Sequence, residues 1–176
     1  YRRAAAVVGC SQGVARQALA LFDLNPRRVH AIPNPVAPHF AASASMAPET
    51  AAWFTGLDRP AFVSVGRMVP QKGFDDLIGA FALQTRGSLV ILGEGPLRAD
   101  LSALAETLGV ANRVRMPGFL SAPEEILQAA DVYVSSSLWE GYPLVLIEAY
   151  AAGLPVVARA CNFGPEEIVI SGRPGQ

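Results

Sequence analysis

Ser135-Ser136-Ser137-Leu138-Trp139-Glu140-Gly141-Tyr142-Pro143-Leu144-Val145-Leu146-Ile147-Glu148-Ala149-Tyr150-Ala151-Ala152-Gly153 is the stretch whose reading decides the fold. Three serines close an apolar run, as at the exposed end of a buried strand. Gly141 and Pro143 then force a turn. From Leu144 the apolar spacing is helical, and Gly153-Leu154-Pro155 stops it. The stretch is therefore strand, loop and helix, with Glu140 just ahead of the helix and Glu148 about one turn inside it. Free N–H groups at a helix start make a seat for an anion. A carboxylate beside that seat does not hold phosphate, but it accepts hydrogen bonds from sugar hydroxyls. The pattern points to a phosphorylated sugar or a nucleotide sugar.

The same rhythm extends upstream to Pro60. Ala61–Val65 reads as an apolar strand ending at Gly66, and Phe74–Thr85 as a helix with Leu77, Ile78 and Phe81 on one face. Ser88–Leu92 is a strand ending at Gly93, and Leu97–Leu108 a helix striped by Leu97, Leu101, Leu104 and Leu108. Then follow a short strand over Arg113–Met116, a helix over Pro123–Ala130 and a strand over Asp131–Ser135. Beyond the helix at Leu144–Ala152 come a strand at Pro155–Ala158 and a helix at Pro165–Ile170. Strands that are continuous apolar runs, alternating with amphipathic helices, predict a parallel sheet covered on both faces. Right-handed crossovers make it a doubly wound, Rossmann-like α/β sheet, whose ligands sit outside the carboxyl ends of the strands. The unusual residues cluster after Val65, Leu92, Met116 and Ser135, at just those ends.

Before Pro60 the chain is less regular. Tyr1–Cys10 ends in a short strand expected to be buried, and Ser11 is placed to cap a helix carrying Val14, Ala18, Leu21 and Phe22 at helical spacing. The prolines of Val29–Val36 keep that segment extended. Ala37–Thr50 is rich in Ala, Ser and Pro and reads as a linker or surface loop, followed by a short helix over Thr50–Leu57. Trp53 is expected in the core, and His30 and His39 at the surface or in local packing.

A chain of 176 residues, 51% hydrophobic and 16% charged, has enough apolar side chains for one good core and is not disordered. A formal net charge of -1 without a basic block argues against nucleic acid as the main partner. Cys10 and Cys161 lie in apolar segments and read as buried, reduced thiols. No Cys-x-x-Cys pair or His-rich cluster is present, so no metal site built by the protein is expected. No run reaches the roughly 18 apolar residues of a membrane span. With no visible signal peptide, the expected location is the cytoplasm.

Three further loops carry candidate chemistry. Gly66-Arg67-Met68-Val69-Pro70-Gln71-Lys72-Gly73 follows a strand and opens a helix, so Arg67 and Lys72 are placed to converge on one diphosphate, with Gly66 admitting a ligand close to the backbone. The bland alternative is a solvated loop with two surface cations. Gly93-Glu94-Gly95-Pro96 also permits close approach, or is simply a tight turn with proline at the first helical position. It is not the dinucleotide fingerprint, because no third glycine follows. Arg113-Val114-Arg115-Met116-Pro117-Gly118-Phe119 offers strand-end backbone to a base edge, with Phe119 either supporting that base or packed in the core. Asp75 and Asp76, and likewise Glu166 and Glu167, open helices and suit their dipoles.

Taken together, Gly66-Arg67 with Lys72-Gly73, Gly93 to Pro96, Val114 to Phe119, Glu140 to Leu144 with Glu148-Ala149, and Gly153 to Val157 resemble the donor-binding half of the retaining glycosyltransferases of glycosyltransferase family four (glycosyl transferases group 1). These enzymes have the GT-B fold, and the resemblance runs from about Val7 to about Ser171. Cys10-Ser11 and then Ile32-Pro33-Asn34-Pro35 are similar to the family's crossing from the acceptor half into the donor half. The implied division is 1–58 for the end of the acceptor half, crossing and linker, and 59–176 for the donor-binding domain, shortened at its C-terminus. The resemblance implies that Arg67 and Lys72 hold the donor diphosphate, with Gly66, Gly93 and Glu94 against the nucleotide. It implies that the N–H groups of Gly141, Tyr142, Pro143's successor Leu144 and their neighbours meet the distal phosphate and the sugar. Glu140 would bind sugar hydroxyls near the anomeric carbon and Glu148 the ribose hydroxyls. Backbone at Arg115, Met116 and Pro117 would face the base.

The implied reaction is transfer of a hexosyl group from a nucleotide diphosphate sugar, UDP-linked in preference to GDP-linked, with retained configuration and no metal or other cofactor. The acceptor would be a glycan or lipid-linked glycan engaged through the other half of the fold, which would also carry any contact with the inner face of the membrane. Polysaccharide and cell-envelope assembly is the implied setting, and the donor half alone is expected to bind donor without efficient transfer. Phe163-Gly164-Pro165-Glu166 departs from the family's usual pair of glycines, so Phe163 is expected to narrow the sugar pocket or mark a different donor. Two other readings compete: a Rossmann-like protein-interaction module with a vestigial site, and a GT-B sugar-nucleotide epimerase or phosphorylase.

Overall fold

The computed structural model describes residues 1, 3–35, 48–120 and 123–169, with backbone alone at 49 and 123. Most of the expected linker, His39, the end of the last helix at Ile170 and everything after it lie outside the described residues. The strands and helices are β1 (Val7–Gly9), α1 (Gln12–Phe22), β2 (Val29–Ala31), α2 (Pro48–Phe54), β3 (Ala61–Val65), α3 (Phe74–Ala82), β4 (Ser88–Leu92), α4 (Arg98–Thr107), β5 (Val114–Gly118), α5 (Pro123–Ala129), β6 (Val132–Ser135), α6 (Leu144–Ala151), β7 (Val156–Ala158) and α7 (Pro165–Val169).

Strands β3 to β7 form one sheet in the order β5-β4-β3-β6-β7, and every pairing is parallel. The chain winds outward from β3 through α3 and α4, then returns through α5 to the other side of β3. The strand order therefore reverses between β3 and β6, where Phe62 pairs with Val132 and Val63 with Tyr133. Loops leaving these two strands must diverge, and the crevice between them is where such sheets bind ligands.

Both faces of the sheet are covered, as the unbroken apolar strands require. All five residues of β4 are buried. Leu89 and Ile91 pack with Phe74, Leu77, Ile78 and Phe81 of α3 and Leu101 and Ala105 of α4. Val63, Val90, Leu92 and Tyr133 pack with Ile126 and Leu127 of α5 and Leu146 and Ala149 of α6. Helix α6 stops as expected. Gly153 takes φ +78, its N–H donates to Tyr150 O, and the Leu154 N–H donates to Ala149 O. That paired closure satisfies two terminal carbonyls and returns Leu154 to the core beside Ala149.

The first unit departs from expectation. β1 and β2 form a separate two-stranded parallel sheet. Ser11 does cap α1, accepting from Val14 N at 3.1 Å. However, the helix buries Gly13 and Ala15 rather than the apolar face read from spacing. Leu21 is 66% exposed, and Val8 and Phe22 are exposed as well. Periodicity located the helix, but the covered side is the one bearing small residues, which admit α7 and the loop before it. Trp53 is likewise not core: it is 37% exposed at the end of α2.

Asp131 anchors the start of β6. Its carboxylate accepts from Ala61 N at 2.6 Å and from the Arg59 guanidinium at 2.9 Å. Burial pushes its pKa up, but the Ala61 amide and Arg59 together outweigh this and hold it below the usual carboxylate value. A depressed folded-state pKa contributes stability that is present above the unfolded value, about 3.9, and is lost as pH falls through the folded one. Asp131→Asn is therefore expected to lower stability at pH 7 and to narrow its gap to the wild type as pH falls below about 4. Urea midpoints for both proteins across that range check this, and a constant gap would contradict it.

Candidate functional site

The turn after β3 and the loop after β6 are stitched together across the switch point. The Leu138 N–H donates to Gln71 O at 2.8 Å, the Gln71 side-chain amide donates to Trp139 O at 2.9 Å, and Ser136 Oγ donates to Lys72 O at 2.8 Å. Gly73, at φ +57, lies so close to Ser136 that a Cβ would come within 2.6 Å of its carbonyl oxygen. A short helical turn over Pro70–Lys72 aims Lys72 across the crevice. Its Nζ lies 2.5 Å from Glu140 Oε1, and the same oxygen accepts from Ser137 Oγ at 2.7 Å. The Lys72 and Glu140 side chains are only 18% and 10% exposed, so this pair is set into the rim rather than lying on a solvated surface. Ser137, read from sequence only as a strand end, orients the carboxylate.

Helix α6 starts directly beside this pair. Pro143 stands at its N-cap without a side-chain hydrogen bond, and its first turn carries no acidic residue. The first turns of α3, α4, α5 and α7 all carry one. The positive end of α6 is thus left without a counter-charge from its own first turn. Glu148, one turn further on, is half-buried. Burial, and then the charge of Glu124, push its pKa up. Beneath the site lies Tyr133, fully buried. Burial drives its phenol far above the ordinary value, and the nearby Glu140 and Glu148 add to the shift. Cys161, after β7, feels the same pair: burial and then Glu140 raise its pKa against opposition from Arg159 and Lys72. It is buried and free, while Cys10 is free and half-buried rather than buried.

Beside the pair, a cleft of about 460 Å³ is lined by Val65, Gly66, Arg67, Leu92, Gly93, Glu94, Phe119 and Leu120. Arg67 is exposed and has no side-chain partner among the described residues. Phe119 is 78% exposed at the rim, so it is not core. The glycines also serve close packing. The stem of Lys72 occupies the space over Gly66, and a Cβ on Gly93 would run into the Gly66 carbonyl oxygen. They let one loop lie against another while both border the cleft. Of Arg115, Met116 and Pro117, whose backbone was expected to face the base, the first two have partners within the protein. Arg115 donates to Trp53 O and Thr55 O, and Met116 O accepts from Arg98 at 2.6 Å. β5 runs on to Gly118, so Phe119 and Leu120 are what reach the cleft. Arg98 also holds Glu94 at 3.0 Å. The Phe163 ring lies on Gly13 of α1.

A parallel sheet wound on both faces, with a cation–carboxylate pair at its switch point and an uncapped helix start beside it, defines a Rossmann-like α/β unit. The chain belongs to the glycosyl transferases group 1 family, whose model matches residues 49–176. It is 40% identical over 121 residues to the lipopolysaccharide core biosynthesis glycosyltransferase LpsE of Rhizobium meliloti, covering 69% of this chain and 35% of LpsE. Over 148 residues it is 33% identical to the UDP-Gal:alpha-D-GlcNAc-diphosphoundecaprenol alpha-1,3-galactosyltransferase of Escherichia coli, covering 79% of this chain and 38% of that enzyme. Among solved structures, a TarM mutant of S. aureus in complex with fondaparinux, alpha-GlcNAc-glycerol and UDP superposes with a TM-score of 0.77 at 25% identity, over 92% of this chain and 31% of TarM. The structural neighbours are GT-B glycosyltransferases, and the fold is that of one GT-B half. The chain spans about a third of the length of the curated relatives it matches, 35% and 38% of the two above.

Proposed function

We propose that this chain is the donor-binding half of a retaining glycosyltransferase of family four, and that it takes a UDP-hexose in preference to a GDP-linked sugar. The observation that carries this is the Lys72–Glu140 pair spanning the switch point between β3 and β6. Lys72 has ammonium protons beyond the one given to Glu140, and Arg67 has its whole fork free among the described residues. Together with the start of α6 they would take the charge that builds on the diphosphate as the bond from the anomeric carbon to its oxygen breaks. That charge balance is met by side chains, so the reaction is proposed to need no metal. Glu140 would accept from hydroxyls of the transferred sugar and Glu148 from the ribose, with the base in the cleft under Phe119. The relatives named for lipopolysaccharide core biosynthesis and for a UDP-galactose donor support a UDP-sugar and cell-envelope assembly. The acceptor, a glycan or lipid-linked glycan, would be held by the other GT-B half, which would also decide between cytoplasm and the inner face of the membrane. Among the described residues no helix is long and apolar enough to cross a membrane.

Calorimetric titration with UDP and with GDP, in EDTA, tests the reading. The wild type is expected to bind UDP more tightly than GDP. Arg67→Ala is expected to weaken UDP about tenfold, the worth of one charge-assisted contact, with an unchanged melting temperature because the side chain is unpaired and exposed. No nucleotide binding, or an Arg67→Ala variant indistinguishable from wild type, would sink the assignment.

A further inference from the structure

The first turn of α7 is wedged between the start of α1 and the loop that leads into α6. On one side, the Glu167 carboxylate accepts from both free amides at the start of α1: Gln12 N to Oε2 at 2.9 Å and Gly13 N to Oε1 at 2.8 Å. The Phe163 ring lies on Gly13, where any Cβ would strike it. Phe163 holds φ +67, a conformation few non-glycine residues adopt, and this is the geometry that brings the ring over α1. On the other side, Gly164 packs so tightly on the α6 loop that a Cβ would fall 2.6 Å from Pro143 Cδ and 3.0 Å from Gly141 O. The circle closes at Gly141, where a Cβ would lie 3.2 Å from Cys10 Sγ and 3.9 Å from Val14 Cγ2. α1, the residue preceding its cap and Gly164 at the entry to α7 therefore all bear on Gly141–Pro143.

We infer that Glu167 is a positioning residue for the diphosphate and sugar seat: by clasping the start of α1 it fixes the Gly141–Pro143 loop that presents the amides of α6. This rests on the reading of that loop as the seat. Glu167 touches no ligand in this account. It completes the cap of α1, as Ser11 does for Val14, but from 154 and 155 residues away in sequence. Two charge-assisted hydrogen bonds to backbone make a clasp that sets position sharply, and a seat fixed in advance binds its anion more tightly than one that must be ordered on binding.

The test has two arms on the 176-residue chain, using Glu167→Ala and, as the milder variant that keeps one acceptor, Glu167→Gln. Amide hydrogen exchange without ligand comes first. Glu167→Ala is expected to speed exchange at Gln12 and Gly13 and also across 141–145, with Glu167→Gln intermediate. Faster exchange confined to α1, or spread evenly over the sheet, overturns the inference. Titration with UMP and UDP follows. The variants are expected to weaken UDP about tenfold while leaving UMP within twofold, because only the distal phosphate reaches the α6 loop. Equal losses for both nucleotides would mark a general loss of structure, and no loss for UDP would show that the clasp does not set the seat. Either result overturns the inference. A wild type that binds no UDP while Glu167→Ala still loosens 141–145 would refute the donor-site reading and with it the seat, and leave only the clasp that orders the 141–145 loop.

Discussion

Lys72→Met is expected to abolish measurable UDP binding and to destabilise the fold by about 2–3 kcal/mol. Two effects add here, and they separate cleanly. Methionine keeps most of the lysine stem, which lies over Gly66, so little packing is lost. What goes is the ammonium, and with it the partner of a carboxylate only 10% exposed. Leaving a buried charge unpaired costs about 3–5 kcal/mol when burial is complete; Ser137 still donates to Glu140 and some water reaches it, which brings this site to about 2–3 kcal/mol. Adding Glu140→Gln removes the stranded charge and keeps the acceptor for Ser137 Oγ. The double variant is expected to recover stability to within about 1 kcal/mol of wild type, yet to remain unable to bind UDP, because the cation proposed to face the diphosphate is still absent. Urea midpoints and titration of the three variants give the cycle. Full UDP affinity in Lys72→Met would remove the proposed seat, whatever the stability data say.

The pairing behind that prediction spans 68 residues of sequence, and no local pattern reports it. What was legible was that both residues follow strand ends. Parallel topology puts all such ends on one rim, so convergence was implied before any distance was known. Strands β3 and β4 kept the boundaries read from their apolar runs, and α3 buried the Leu77, Ile78 and Phe81 face. These features follow from periodicity, which is a property of the segment itself. The failures concern which side of a segment has a neighbour. Leu21 and Phe22 keep helical spacing but face out, because α7 and the loop before it pack on Gly13 instead. Arg115 and Met116 read as free strand-end groups, but Arg115 ties down α2 and Arg98 reaches Met116 O. Phe119 was left open between core and rim, since hydropathy does not distinguish an aromatic that is packed from one that borders a cleft. Glu167 looked like a residue serving its own helix dipole, whereas its carboxylate serves α1.

Gly93→Ala is expected to cost more than any other single methyl in the sheet. Gly93 follows β4, the neighbour of the central strand β3, and sits at φ +128, where an L side chain is strained by about 1–3 kcal/mol before any clash is counted. A Cβ there meets the Gly66 carbonyl oxygen head-on and comes within 2.9 Å of the Gly66 carbonyl carbon. Neither atom can swing aside. The Gly66 N–H donates to Leu92 O at 2.9 Å, and the Gly93 N–H donates to Gly118 O at 2.9 Å, so the ends of β3, β4 and β5 are locked in one layer. Relief requires these strand ends to part, and overpacking adds about 1–3 kcal/mol more. The sum, about 2–6 kcal/mol, is a large share of the stability of an ordinary domain, so poor recovery or a collapsed urea midpoint is the expected result. Gly79→Ala supplies the contrast within the same protein. Gly79 lies inside α3, and a Cβ there meets nothing within 4 Å. The same added methyl is expected to stabilise by about 0.5–1 kcal/mol through the lower helix cost of alanine. Opposite signs from one chemical change would show that the rim demands glycine at 93, for its left-handed backbone and its contact with Gly66 together, whereas Gly79 answers to neither; a mild effect at Gly93 would mean that β3 and β4 can separate at their ends, and that the cleft between Gly66 and Gly93 is not fixed.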